Sequence, residues 1–226
     1  MNAATTNTTT LGAADGHAFG AYVARPGGTP RGALVVVQEI FGVNPHVRVV
    51  ADGYAADGYL AIAPALFDRV ERGVELGYGP DDIQRGRALK EASGNHKPLL
   101  DIAAAMAHVE PAGRIGIVGY CWGGLLSWLA ACELNGLAAS VPYYGGGIPG
   151  EAARQPRCPV MAHFGEQDSV LPLPAVEAFR RAQPGVAVHL YAAGHGFNCD
   201  QRGSFDAASA ALARQRTLAF LREHVG

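Results

Sequence analysis

The chain has 226 residues, 49% of them hydrophobic and 17% charged, and a formal net charge of −2. It is long and apolar enough to bury a core, which excludes a disordered chain and suits one α/β domain. The 18 lysines and arginines form no basic block, which excludes the footprint of a nucleic-acid binder and leaves small molecules as the expected partners.

Residues 1–10 carry five threonines and, after Met1, no large apolar side chain. That composition predicts a disordered tail ahead of a single domain over residues 11–226. The start has neither the basic nor the apolar region of a secretory signal, and no apolar run approaches the roughly 20 residues that cross a bilayer. A cytoplasmic protein without membrane contact is expected, as a monomer or small homo-oligomer. Cys121, Cys132, Cys158 and Cys199 show no CxxC spacing, and a chain of this size needs no disulfides, so free thiols are expected.

Residues 17–24 alternate apolar and polar side chains and predict an antiparallel edge strand. Apolar runs at 33–37, 60–62, 114–118, 138–143, 160–164 and 186–191 predict further strands. Asn44-Pro45 supplies a capping side chain and a proline at the first helical position, opening a helix to about residue 56. Helical patterns follow at 81–92, 98–109, 122–133, 174–182 and 204–223. Continuous apolar strands separated by helices predict a mostly parallel, doubly wound sheet with helices on both faces.

Gly119-Tyr120-Cys121-Trp122-Gly123 falls where a strand should turn sharply into a helix. Flanking glycines two residues either side of a nucleophile are the mark of the nucleophile elbow, here with cysteine in place of serine. A cysteine nucleophile requires a base and a group that orients the base. Asp168, in the loop after the strand at 160–164, and His195, in the loop after the strand ending at Tyr191, have the chain order acid then histidine. Both lie at the sheet edge where Cys121 is expected. Glu166 shares the loop with Asp168 and is the rival acid, while His163 and His189 sit inside strands and read as core or surface residues. Glu39 interrupts an apolar run in Gln38-Glu39-Ile40-Phe41-Gly42. A loop in that position supplies oxyanion-hole donors, which predicts the backbone N–H groups of Ile40 and Trp122 in that role.

Together, Gln38 to Gly42, Gly119 to Gly124, Tyr143-Tyr144-Gly145, Gly165 to Asp168 and Gly194 to Phe197 resemble the dienelactone hydrolases, or carboxymethylenebutenolidases, of the α/β-hydrolase fold. The likeness runs from about residue 17 to the C-terminus. It implies Cys121 as nucleophile with Asp168 and His195 as partners. It also implies that Glu39 contacts the resting thiol and takes its proton when substrate arrives. The implied reaction is opening of the dienelactone ring to maleylacetate through a thioester, during chloroaromatic breakdown, without metal or organic cofactor. The family's substrate-binding arginine four residues after the catalytic histidine is Cys199 here. Arg202 and Arg85 are the leading replacements, with Arg69 and Arg87 also in range, and Tyr143 and Tyr144 are candidate contacts. Two other readings stay open: a broader esterase for short neutral esters, and a non-catalytic domain that senses oxidants or binds a ligand through its thiol.

Overall fold

The computed structural model describes residues 5–226. Eight strands form one sheet in the order β1-β2-β4-β3-β5-β6-β7-β8. Strands β3 (Ala33–Val37), β4 (Leu60–Pro64), β5 (Ile115–Tyr120), β6 (Leu137–Tyr143), β7 (Met161–Gly165) and β8 (Ala187–Tyr191) run parallel. This is the α/β-hydrolase fold expected from the sequence.

Parallel neighbours need crossovers, and the crossovers place helices over both faces. Helices α1 (Pro45–Ala56) and α6 (Ala207–His224) cover one face. The other is covered by α2 (Pro80–Ser93), α3 (His96–Val109), α4 (Trp122–Glu133) and α5 (Leu173–Ala182). Strand β3 shows why its run is continuously apolar: Leu34 and Val36 pack under α1 and α6, while Val35 and Val37 pack under α3 and α4. Both faces of each central strand are dry, so alternation disappears.

The segment expected to be a disordered tail is instead strand β1 (Thr5–Gly12), antiparallel to β2 (Ala18–Arg25) in register from Thr5 with Arg25 to Gly12 with Ala18. Its β-branched threonines suit a strand that stays largely exposed. Pairing also covers the edge that β2, antiparallel to β4 on its other side, would leave open. Strand β2 is therefore the second strand and not the edge. Residues 1–4 of the expected tail lie outside the described residues.

Capping fixes two helix starts. The Asn44 carboxamide oxygen accepts from Val47 N–H at 3.2 Å ahead of Pro45. The Asp206 carboxylate accepts from Ser209 N–H at 2.7 Å, so α6 begins at Ala207 and not at 204. Helix α4 is buried from Trp122 to Cys132 and has no polar face. Among the described residues no helix is long and apolar enough to cross a membrane.

Arg69, one of the arginines in range for substrate binding, is committed elsewhere. Its Nε donates to Asp101 at 2.7 Å and its Nη1 to Asp15 at 2.7 Å. The Arg69 side chain is 6% exposed and that of Asp101 fully buried. Removing the guanidinium would strand a buried carboxylate. Arg69→Met is expected to lower unfolding stability by about 3–5 kcal/mol, measured by urea denaturation. A loss below about 1 kcal/mol, the level of a surface pair, would show that the pair does not hold α3 to the strands.

Candidate active site

The turn after β5 is built by close approach. A Cβ on Gly119 would stand 2.0 Å from the Gly123 carbonyl oxygen, and one on Gly123 2.4 Å from that of Val37. Only glycine fits at either place. Between them Cys121 adopts φ 54° and ψ −115°, outside the regions a side chain prefers. The Cys121 N–H donates to the Tyr143 carbonyl at 3.1 Å, and its own carbonyl accepts from Gly124 N–H at 3.0 Å. These contacts lift the side chain out at the C-terminal edge of the sheet, and it remains partly accessible.

His195 comes to it from the loop after β8. Its Nε2 lies 3.1 Å from the Cys121 sulfur, and its Nδ1 lies 2.8 Å from an Asp168 carboxylate oxygen. The other Asp168 oxygen accepts from the N–H groups of Val170, at 2.7 Å, and Leu171, at 3.1 Å. Asp168 is thus buried and fully bonded, whereas the rival Glu166 is exposed. A Ser204 hydroxyl donates to the His195 carbonyl at 2.6 Å and steadies the loop. His163 belongs to the core, held between the hydroxyls of Tyr191 and Thr217.

Glu39 is buried beside this group, but its partner is Arg202, whose Nη1 donates to one carboxylate oxygen at 3.1 Å. The other oxygen has no hydrogen-bond partner among the described residues. The resting contact between Glu39 and the thiol implied by the resemblance is therefore not the arrangement here. A guanidinium competes for the carboxylate and His195 holds the sulfur.

Ile40, Phe41, Ile83, Arg87, Lys90, Cys121, Trp122, Gly146, Val170, His195 and Arg202 enclose a cleft of about 150 Å³. Helix α2 can reach it because Gly86 has no side chain: a Cβ there would meet the Ile40 carbonyl oxygen at 2.1 Å. That approach brings Arg87 and Lys90 to the rim, and neither forms an ion pair among the described residues. Arg85 instead points outward, 54% exposed and paired with Glu71, so it is no part of the cleft. Lys90 was missed in the sequence, although its spacing of three from Arg87 on a helix is the signal that puts both on one face.

The two tyrosines separate. Tyr143 lies under the sheet with its hydroxyl bonded to Thr217 at 2.6 Å, out of reach of the cleft. Tyr144, at φ 35°, sets its ring edge-on to His195 at 5.2 Å, and its buried hydroxyl has no hydrogen-bond partner among the described residues. It supports the imidazole from behind and does not line the cleft.

The Dienelactone hydrolase family model matches residues 19–225. The chain belongs to that family. It is 35% identical over 219 residues to a carboxymethylenebutenolidase of Pseudomonas putida, covering 92% of each chain. The same enzyme name, identity and coverage hold for a protein of Pseudomonas knackmussii. A crystal structure of a provisionally named dienelactone hydrolase from Klebsiella pneumoniae superposes with a TM-score of 0.88 at 31% identity, covering 99% of this chain and 100% of that one. The chain is accordingly a carboxylic ester hydrolase of the carboxymethylenebutenolidase type.

Burial by itself pulls the His195 imidazole down. Hydrogen bonds to Asp168 and Cys121 outweigh it, and the pKa is pushed up from 6.5 to about 10. The folded chain keeps a proton that the unfolded chain releases near pH 6.5, so the resulting stabilisation is complete below that pH and is lost as pH rises through about 10. The stability gap between wild type and His195→Gln, followed by urea unfolding, is expected to narrow between pH 6.5 and about 10. A gap that stays constant or widens over that range would contradict the pairing.

Proposed function

We propose that this hydrolase opens small lactones or esters, of the dienelactone-to-maleylacetate type, through a thioester on Cys121. The observation that carries the reading is the unbroken chain of contacts from Asp168 through His195 to the Cys121 sulfur, at 2.8 and 3.1 Å, on the wall of a cleft. The thiolate is the attacking form, and His195 stands within hydrogen-bond reach of the sulfur to hold its proton.

The thiolate adds to the substrate carbonyl carbon, and the carbonyl electron pair moves onto oxygen. The backbone N–H groups of Ile40 and Trp122 are the donors for that oxyanion. Both residues border the cleft, and neither N–H is engaged in a hydrogen bond among the described residues. Donors of this kind contribute about 2.7–4 kcal/mol each. As the oxyanion collapses, the ring C–O bond breaks and His195 gives its proton to the leaving oxygen. Neutral His195 then takes a proton from water as the water attacks the thioester, and the thiolate departs. Glu39 holds Arg202 at the cleft wall at 3.1 Å, and a substrate carboxylate would compete with it for the guanidinium.

The rim favours an anionic substrate. Arg87, Lys90 and Arg202 border the cleft, and the first two have no carboxylate partner among the described residues. This supports an acidic lactone over a short neutral ester.

Cys121→Ala is expected to abolish turnover while leaving the circular dichroism spectrum unchanged. Wild type should show a mass increase equal to one acyl group when quenched with a slow ester. Substantial residual turnover in the alanine variant would remove Cys121 from the mechanism. In the double variant Arg87→Ala/Lys90→Ala, KM for dienelactone should rise about tenfold or more, the cost of losing roughly 1.5–3 kcal/mol of charged hydrogen bonding. KM for a neutral aryl acetate should hold within about twofold. Equal effects on both would rule out anion binding at the rim.

A further inference from the structure

We propose that His46, Cys199 and Asp200 form a binding site for one borderline divalent transition ion of the zinc class, separate from the ester-hydrolysing group. The His46 ring nitrogen, the Cys199 sulfur and an Asp200 carboxylate oxygen all lie within 4.8 Å of one another. His46 Nδ1 and the Asp200 oxygen are already 3.2 Å apart. Ligands around a tetrahedral zinc stand roughly 3.3–3.6 Å apart, given metal bonds of about 2.0–2.3 Å. Closing the group onto an ion therefore needs only a small movement.

The donor set selects the class. One imidazole, one thiolate and one carboxylate suit zinc, cobalt or nickel, whereas a sulfur ligand disfavours calcium and magnesium. The placement suits a metal with an open fourth position. His46 and Asp200 form part of the wall of a separate cleft of about 420 Å³ between α1 and α6, which gives an ion a route in and water a place to bind. The Asp200 side chain, 63% exposed, has open space around it in which to turn toward an ion, while Cys199 is fully buried.

Other charges nearby leave room for a cation. The Tyr78 hydroxyl hydrogen-bonds the thiol, and the Glu39 carboxylate is near enough to act on it. Arg202 is the cation beside the thiol, where Glu39 pairs with it at 3.1 Å, and Arg214 on the wall of the larger cleft is paired with Asp57. Binding replaces the thiol proton with the metal: the S–H bond breaks, the S–metal bond forms, and the proton leaves to solvent. The ion would join α1, through His46, to the loop after β8, through Cys199 and Asp200. That loop also carries His195 and Arg202, so the metal would brace the catalytic loop from behind.

The test is a Co²⁺ titration of full-length protein in a Cys121→Ala background, which removes the other thiol that touches a histidine. Wild-type ligands are expected to bind one equivalent with a thiolate-to-cobalt charge-transfer band. That band should vanish in Cys199→Ser. Affinity should fall about tenfold or more in His46→Gln and in Asp200→Asn, at least the loss that an outer partner causes. Asp200→Asn alters an exposed side chain, so it keeps the test decisive if the buried serine disturbs folding. Absence of the band, its survival in Cys199→Ser, or unchanged affinity in both other variants would overturn the site.

Discussion

The functional geometry depends on one steric constraint, the contact between the end of β5 and the first turn of α4. The Gly123 carbonyl stands where a Cβ on Gly119 would be, and the Val37 carbonyl at the end of β3 stands where a Cβ on Gly123 would be. Because the chain can close that far, Cys121 is forced to positive φ and its side chain projects from the sheet edge. Such a conformation costs on the order of 1–3 kcal/mol and persists only where surrounding packing imposes it. Here the imposing structure is a helix buried along almost its whole length and a strand buried on both faces.

Everything that meets Cys121 arrives from the same edge of the sheet. The loops after β3, β7 and β8 deliver Glu39 and Ile40, Asp168, and His195, which follows from the parallel direction of those strands. Helix α2 is the exception. It reaches the cleft only because Gly86 lets it lie against the Ile40 carbonyl, and with it come Arg87 and Lys90. In the proposed reading, two of the three cations that would meet a substrate anion therefore come from a helix outside the catalytic loops. Cys199 is fully buried near Tyr78, Glu39 and His46 and does not border the cleft, so the position four residues after His195 contributes no charge to it.

Much of this was legible in residue order. Runs such as Leu34 to Val37, punctuated by Asn44-Pro45 and by glycine turns, carry the parallel sheet because apolar periodicity reports burial on two faces. Gly119, Cys121 and Gly123, with Asp168 and then His195, carry the active-site order for a similar reason: a strained turn restricts its own residue types. The N-terminal strand was not legible. Thr5 to Thr10 have the polarity of a tail, and only pairing with the open edge of β2, the next strand along the chain, turns them into a strand.

What the sequence determined by itself is the fold class, the family and the three residues Cys121, Asp168 and His195, since local sterics and strand-end position constrain each of them. Only the tertiary structure decided among the charged residues. Arg69 and Arg85 lie in the same stretch of chain as Arg87, yet Asp101 and Asp15 take the first, Glu71 takes the second, and the third is left facing the cleft. Glu39 likewise turned from the thiol to Arg202, 163 residues away. A charge goes to whichever opposite charge the fold brings within reach, and spacing along the chain does not encode that distance.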